Sequence, residues 1–321
     1  MLLSSESTRA LYRFAVENRF AVLAVNADSP AAVVDCLIAA KECDAPIIIE
    51  TSLWQLEGHS FGVGDPYLGI VRYLAELRIL ANADRFRDVP VVYHTDHIKG
   101  LETLRILKHA MASGASSISL DSSELSREEN IAHMSELCRY ASDRKLSAAL
   151  EMEAGVDDGV TPLEETKTLF GEVERRHPGN LSLWAPGVGT KHGLSSDTLA
   201  FSPTSVSEHQ LLASEIAGRP IGIALHGSSG LSNEELEAAV EAGVSKVNWS
   251  SESLLIRSSA AKTYFEENSE RLEKSHAGFK SAAMDNGLQQ YISERYTPRV
   301  AERIGILKGK GRGIEFLDTL S

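Results

Sequence analysis

V-P-V-V-Y-H-T-D-H, residues 89–97, is the stretch on which the reading of the fold turns. It opens as a continuous apolar run and closes on two imidazoles around a carboxylate. A run that does not alternate with polar residues fits a strand covered on both faces. Seven further runs of this kind are present: A-V-L-A-V at 21–25, P-I-I-I-E at 46–50, S-I-S-L-D at 117–121, S-A-A-L-E-M-E at 147–153, L-S-L-W-A at 181–185, I-G-I-A-L-H at 221–226 and K-V-N-W at 246–249. Helix-like segments separate them. The clearest runs from Ser232 to Ala242: Ser232 and Glu235 form a capping box, Leu236, Ala239 and Val240 an apolar stripe, and Gly243 sits where a C-terminal cap belongs. The run A-A-V-V-D-C-L-I-A-A-K-E-C-D-A-P, residues 31–46, reads the same way and is expected to close at Pro46. Eight such repeats predict an α/β chain folded as a (β/α)8 TIM barrel. The competing solution is an open doubly wound sheet, which no Gly-rich dinucleotide fingerprint after the first run supports. Residues 260–321 are charged and helix-like. They are expected to form a C-terminal helical extension of a single barrel domain covering 1–321.

Composition narrows the partners. The chain has 321 residues, 43% of them hydrophobic, enough for a large core, and a formal net charge of -13. That charge argues against nucleic acid and acidic membranes as partners. No apolar run reaches the ~20 residues of a membrane span. The first residues, M-L-L-S-S-E-S, lack the charged and apolar regions of a signal peptide. Cys36, Cys43 and Cys138 show no C-x-x-C spacing and read as buried free thiols in a reducing compartment. The expected location is cytoplasmic.

In a TIM barrel the chemistry lies at the C-terminal ends of the strands. The polar residues there are Asp96 and His97 after the third run, Glu151 and Glu153 at the fifth, His192 in G-V-G-T-K-H-G after the sixth, His226 at the seventh and Asn248 at the eighth. Three imidazoles and a carboxylate at one mouth make a zinc-type donor set. A lone histidine at a strand end is more often a hydrogen-bonded loop residue, so the set depends on the barrel. Along a strand His94 and His97 point to opposite faces, so both are not assumed ligands, and His94 reads as packing or orienting a neighbour. His59, His109, His133, His177, His209 and His276 read as ordinary surface residues. The turn L-H-G-S-S-G, 225–230, leads into the capped helix and is either an anion cradle or a plain Gly-rich turn.

Taken together, these motifs resemble the class II, zinc-dependent fructose-bisphosphate aldolases and the related tagatose-bisphosphate enzymes, over most of the chain. The family's H-x-D-H is matched by His94 to His97, its E-x-E-x-G by Glu151 to Gly155, its H-G by His192-Gly193, its H-G-[GS]-S-G by His226 to Gly230, and its Y-x-P-R-V by Tyr296 to Val300. The resemblance implies Zn2+ on His97, His192 and His226, with Glu153 a fourth ligand in one metal position. It implies Asp96 as the acid/base, and a substrate phosphate on Gly193, Gly227, Ser229 and Ser251. Asn248 would hold substrate hydroxyls, and a monovalent cation, K+ or Na+, would sit near the phosphate site. Arg299 would reach the distal phosphate in a neighbouring subunit of a homodimer or larger homo-oligomer. Asn26 and Ser52 match substrate-side positions less distinctively and read first as structural. The implied reaction is cleavage of a phosphorylated ketose, fructose 1,6-bisphosphate or a relative, to dihydroxyacetone phosphate and an aldehyde through a metal-stabilised enediolate.

The chain departs from the family at two places. The loop after E-x-E-x-G is about four residues shorter and reads G-V-D-D-G, leaving Asp157 or Asp158 to act as the second acid. The strand-eight signature N-x-D-T is N-W-S-S, Asn248 to Ser251. Two alternatives stay open: a metal-dependent enzyme of the same scaffold with another outcome (an epimerase, or one using an unphosphorylated substrate), and a non-catalytic sugar-phosphate-binding subunit.

Overall fold

The structure, a computed structural model, describes residues 1–155, 159–194 and 201–320. Eight parallel strands close into a barrel in chain order: β1 (Val22–Asn26), β2 (Ile47–Thr51), β3 (Val91–Thr95), β4 (Ser117–Leu120), β5 (Ala149–Glu153), β6 (Leu181–Ala185), β7 (Gly222–Leu225) and β8 (Val244–Trp249). Helices intervene, so the chain is the TIM barrel its repeats predict. Each strand falls within two or three residues of its apolar run.

Alternation along the strands sorts the side chains into two populations. Leu23, Val25, Ile47, Ile49, Val91, Tyr93, Leu150 and Met152 face outward and build the larger core against the surrounding helices. The inward set changes character along the barrel axis. Near the N-terminal ends it is apolar, with Ala24, Ile48, Val92, Ala149, Leu183 and Ala224 packed on Leu11, Tyr12 and Ala15. Those three belong to the helix Ser5–Glu17, capped by Ser4, which closes that end of the barrel. One level up, the pairing register aligns Asn26 with Glu50, Glu50 with His94, and His94 with Ser117. All four are buried. A polar tier therefore rests on an apolar floor, and the site is built on that tier.

Local chemistry sets the helix ends. Ser232 caps the helix Asn233–Glu241 through the expected box, its Oγ accepting from the Glu235 amide at 3.2 Å while Glu235 accepts from the Ser232 amide at 2.8 Å. The helix expected to close at Pro46 spans Pro30–Cys43 and stops earlier. Asp44 takes the left-handed conformation at φ 49°, and its N–H donates to the Ala40 and Lys41 carbonyls. This is a C-terminal turn of the kind Asn, Asp and Gly tolerate. All three cysteines are free and buried. His209 is not a surface residue. It is buried, with Nδ1 2.6 Å from Thr166 Oγ1 and Nε2 3.0 Å from the Thr161 carbonyl, and it ties its helix to the loop after β5.

Beyond β8 the described chain is helical. The helix Ser251–Glu267 runs across residue 260, followed by Phe279–Ala283, Asp285–Ile306 and Arg312–Asp318. The long helix Asp285–Ile306 packs on Pro30–Cys43 and on Ser251–Glu267. Its Tyr296 is the buried anchor. Tyr296 stacks on Trp249 (centroids 5.9 Å apart, planes 3° apart), lies 2.5 Å from Ser253 Oγ and sits under the Arg257 guanidinium. Trp249 therefore points out of the barrel into the helix layer, and its bulk does not enter the mouth. Among the described residues no helix is long and apolar enough to cross a membrane.

Candidate active site

At the top of the polar tier β3 delivers Asp96 and His97. The Asp96 amide donates to the Thr51 carbonyl at 2.9 Å, which fixes the strand end against β2. His97 then takes φ 49°, a left-handed conformation that costs a non-glycine residue about 1–3 kcal/mol. The turn brings its ring into contact with those of His192 and His226.

The three histidines meet at one point. His97 Nε2 lies 2.6 Å from His226 Nδ1 and 2.9 Å from His192 Nε2. One ring nitrogen from each of the three falls within 4.8 Å of the others. The far side of His97 is acidic, with Nδ1 3.0 Å from Glu153 Oε2 and 3.2 Å from Asp121 Oδ2. Ser119 Oγ donates to Glu153 Oε1, and Lys99 pairs with Asp121 at 3.0 Å. The carboxylate of Asp96 is 3.8 Å from His97 Nε2. Its two oxygens accept from the side-chain amides of Asn248 at 2.8 Å and Asn26 at 3.0 Å.

The electrostatics ask for positive charge where the rings converge. Burial alone would lower His97, but the carboxylates of Glu153 and Asp96 outweigh it and raise the imidazole well above its ordinary range. Burial would raise Asp96, yet His97 and Lys246 hold it at about 2. His226 is pushed well below its usual value by burial and by the charge of His97, so its ring is neutral. Burial pushes Glu153 upward, against the pull of His97, whose Nδ1 lies 3.0 Å from its Oε2. Ring nitrogens from three separate segments turned toward one another beside the Glu153 carboxylate fit a borderline divalent cation such as Zn2+. Asp121 and Glu153 also form with His97 a second group of metal-binding geometry.

Lys246, on β8, is fully buried between Glu50 (3.3 Å) and Glu151 (3.1 Å). Burial favours its neutral form, but the two carboxylates outweigh burial and keep it protonated. A Schiff-base nucleophile must be neutral, so Lys246 does not offer that route.

The residues expected around the mouth largely assemble. Asp96, His97, His192, Gly193, Gly227, Ser229, Asn248 and Ser251 line one cleft of about 160 Å³, together with Asn26, Ser52, Ser228 and Ser250. Ser229 Oγ accepts from the Glu252 amide at 3.2 Å. Ser250 gives no side-chain cap to the helix Ser251–Glu267, whose first turn opens on the cleft. Ser52 is engaged in a capping box with Gln55, in keeping with its structural reading. Asn26 is not merely structural, because its amide holds Asp96. Arg299 lies outside the cleft, in a neighbouring pocket that shares Ser229 with it. There it pairs with Glu252 at 3.5 Å and with Glu302. Asp157 and Asp158 lie outside the described residues. Sequence reading missed Asp121, although S-I-S-L-D ends on a carboxylate just as β3 does. It also gave no role to Glu50 or Glu151.

Gly227 locks two loops together. It has φ 66°, and a Cβ there would stand 2.7 Å from the Lys191 carbonyl oxygen, beside His192. Gly227→Ala must absorb backbone strain of about 1–3 kcal/mol or push the His192 loop aside. The expected result is weaker divalent-cation binding with the fold retained, read by metal titration alongside a thermal melt.

Comparisons with known proteins place the fold in a family. The family model for class-II fructose-bisphosphate aldolase matches residues 6–312. The fructose-bisphosphate aldolase of Candida albicans is 28% identical over 352 aligned residues, with 96% of each chain covered. That of Ureaplasma parvum is 27% identical over 259, covering 79% of this chain and 82% of its own. Among solved structures, the fructose-bisphosphate aldolase of Campylobacter jejuni has a TM-score of 0.84 at 24% identity, covering 96% of both chains. The YdjI aldolase of Escherichia coli K12 has a TM-score of 0.71 at 20% identity, covering 98% of this chain and 100% of its own. With nearly its whole length matched by one family model, and with the three-histidine mouth in place, the chain belongs to the class-II fructose-bisphosphate aldolase family.

Proposed function

We propose that the protein is a zinc-dependent aldehyde-lyase that cleaves a phosphorylated ketose, fructose 1,6-bisphosphate or a related ketose phosphate, to dihydroxyacetone phosphate and an aldehyde. The observation that carries this reading is the convergence of the His97, His192 and His226 ring nitrogens, with Asp96, His97 and His192 lining one cleft and an ionised Asp96 beside His97. His97, His192 and His226 would hold the zinc, with Glu153 as a further ligand. Bound there, zinc supplies Lewis acidity toward a ketone and its neighbouring hydroxyl. Asp96 takes the proton from the hydroxyl on the departing half. Asn26 and Asn248 fix its two oxygens, so the carboxylate meets the substrate in one orientation. Gly193, Gly227, Ser229 and Ser251 receive the phosphate of the retained half, where the N-terminal end of Ser251–Glu267 reaches the cleft and its dipole favours an anion. A K+ or Na+ ion near this phosphate would offset part of its charge. Asp157 or Asp158 returns a proton to the product. Arg299 serves the distal phosphate in a neighbouring subunit of a homo-oligomer, which suits its distance from its own chain's cleft.

Zinc analysis of the dialysed protein and a coupled assay for dihydroxyacetone phosphate, run over a panel of ketose mono- and bisphosphates, test this reading. Bound zinc is expected, with release of dihydroxyacetone phosphate from at least one substrate, abolished by a chelator and restored by Zn2+. Turnover that survives complete chelation defeats the metal assignment. Bound zinc with no release from any ketose phosphate defeats the reaction.

A further inference from the structure

We propose that Lys246 is a positioning residue that sets two groups of the active site at once, the donor nitrogen of His226 and the carboxylate of Asp96. For its kinetic consequence the inference rests on the function proposed above. An ammonium has three donors and no acceptor. In Lys246 they serve Asn248 Oδ1 at 2.6 Å and Glu151 Oε1 at 3.5 Å, and the ammonium lies within ion-pair distance of Glu151 Oε2 at 3.1 Å and Glu50 Oε2 at 3.3 Å. The side chain is wholly buried, so water does not share the work.

Two orientations follow. The Asn248 amide has one accepting and one donating end. Lys246 takes the oxygen, so the NH2 is turned to Asp96 Oδ1 at 2.8 Å. A flipped amide would set NH2 against ammonium and carbonyl against carboxylate. On the other side Lys246 anchors Glu151, whose Oε1 lies 2.8 Å from His226 Nε2. A carboxylate only accepts, so Nε2 carries the hydrogen and Nδ1 is left bare. Nδ1 is the nitrogen that faces His97 Nε2 at 2.6 Å, with the Asn248 amide 3.4 Å away. A lysine present only to neutralise Glu50 and Glu151 would have no need of Asn248. Outer-shell partners of this kind typically contribute about 10–100-fold to metal affinity.

Lys246→Met alone strands two buried carboxylates without a counter-charge and is expected to fold poorly. Lys246→Met/Glu50→Gln removes the ammonium together with the buried carboxyl 3.3 Å from it and is the working variant. Its Co2+ affinity, read by chelator competition, is expected to fall about 10–100-fold, with a changed d–d absorption spectrum. Its kcat is expected to fall at least about 10-fold while KM moves little, because the base is misoriented rather than the substrate released. A folded double variant with parental Co2+ affinity, spectrum and kcat overturns the proposal. Long-range 1H–15N spectra of the wild type decide the tautomer whether or not any variant folds. A hydrogen on Nε2 of His226 is expected, and one on Nδ1 overturns the proposal. The cobalt and tautomer measurements do not depend on turnover. A wild type without cleavage activity defeats the functional reading, while weakened Co2+ binding in the double variant still supports the positioning role.

Discussion

Asp96→Asn is expected to cut the turnover of ketose-phosphate cleavage by about 10²–10⁴, the usual contribution of a well-placed base, and to leave zinc content near that of the wild type. The substitution keeps the size of the side chain and the contact of Oδ1 with the Asn248 amide. It puts an NH2 where Asn26 donates, and it removes the negative charge that His97 and Lys246 sustain. Asp96 makes its hydrogen bonds to two asparagines, not to a ligand histidine, so the loss belongs to proton transfer. Steady-state kinetics on the zinc-loaded variant, with metal analysis of the same sample, is the check. Turnover within a few-fold of the wild type would remove Asp96 from its role.

The second large effect is expected at His97. Its Nε2 faces both other ring nitrogens, and its Nδ1 lies between Asp121 and Glu153. His97→Ala removes the shared vertex of two potential metal groups and leaves Asp96, Asp121 and Glu153 as neighbouring carboxylates with less opposing charge. Zinc affinity is expected to fall by more than the about 10–100-fold typical of an outer-shell partner, and cleavage to drop to background. Equilibrium dialysis against a competing chelator measures the first and the coupled assay the second. A variant that keeps both zinc and turnover would show that the three histidines do not form one metal site.

The legible part of the molecule was what local pattern encodes. Runs such as I-I-I at 47–49 and V-V-Y at 91–93 are apolar on both faces because floor, outer core and helices cover both, and a parallel barrel leaves that trace in one dimension. His97, His192 and His226 were legible because they follow strand ends or lie in the loops after them. The polar tier was not. Glu50, His94, Glu151 and Lys246 lie within strands, and their partners are far off in sequence; Lys246 meets Glu151 across 95 positions. A single charged residue in an apolar run does not say what it pairs with. Asp121 was within reach by analogy with Asp96. His209 was misread because its partners, Thr166 and the Thr161 carbonyl, lie on a different segment. The early end of Pro30–Cys43 turned on one left-handed aspartate rather than on the proline two residues later.

Glu252 has a wider consequence. Its carboxylate takes the indole N–H of Trp249 and the guanidinium of Arg303, and reaches Arg299 at 3.5 Å. Arg303 is buried, whereas the Arg299 side chain is about half exposed. Ion pairs at so open a position contribute little to stability and are screened by salt over about 10 Å at 0.1 M. Arg299 is therefore exchangeable, able to trade its own carboxylates for an arriving anion without loosening Arg303 or the Trp249–Tyr296 stack beneath. Under the role proposed for Arg299, added salt is expected to weaken the hold on a phosphorylated compound while leaving the barrel itself almost indifferent.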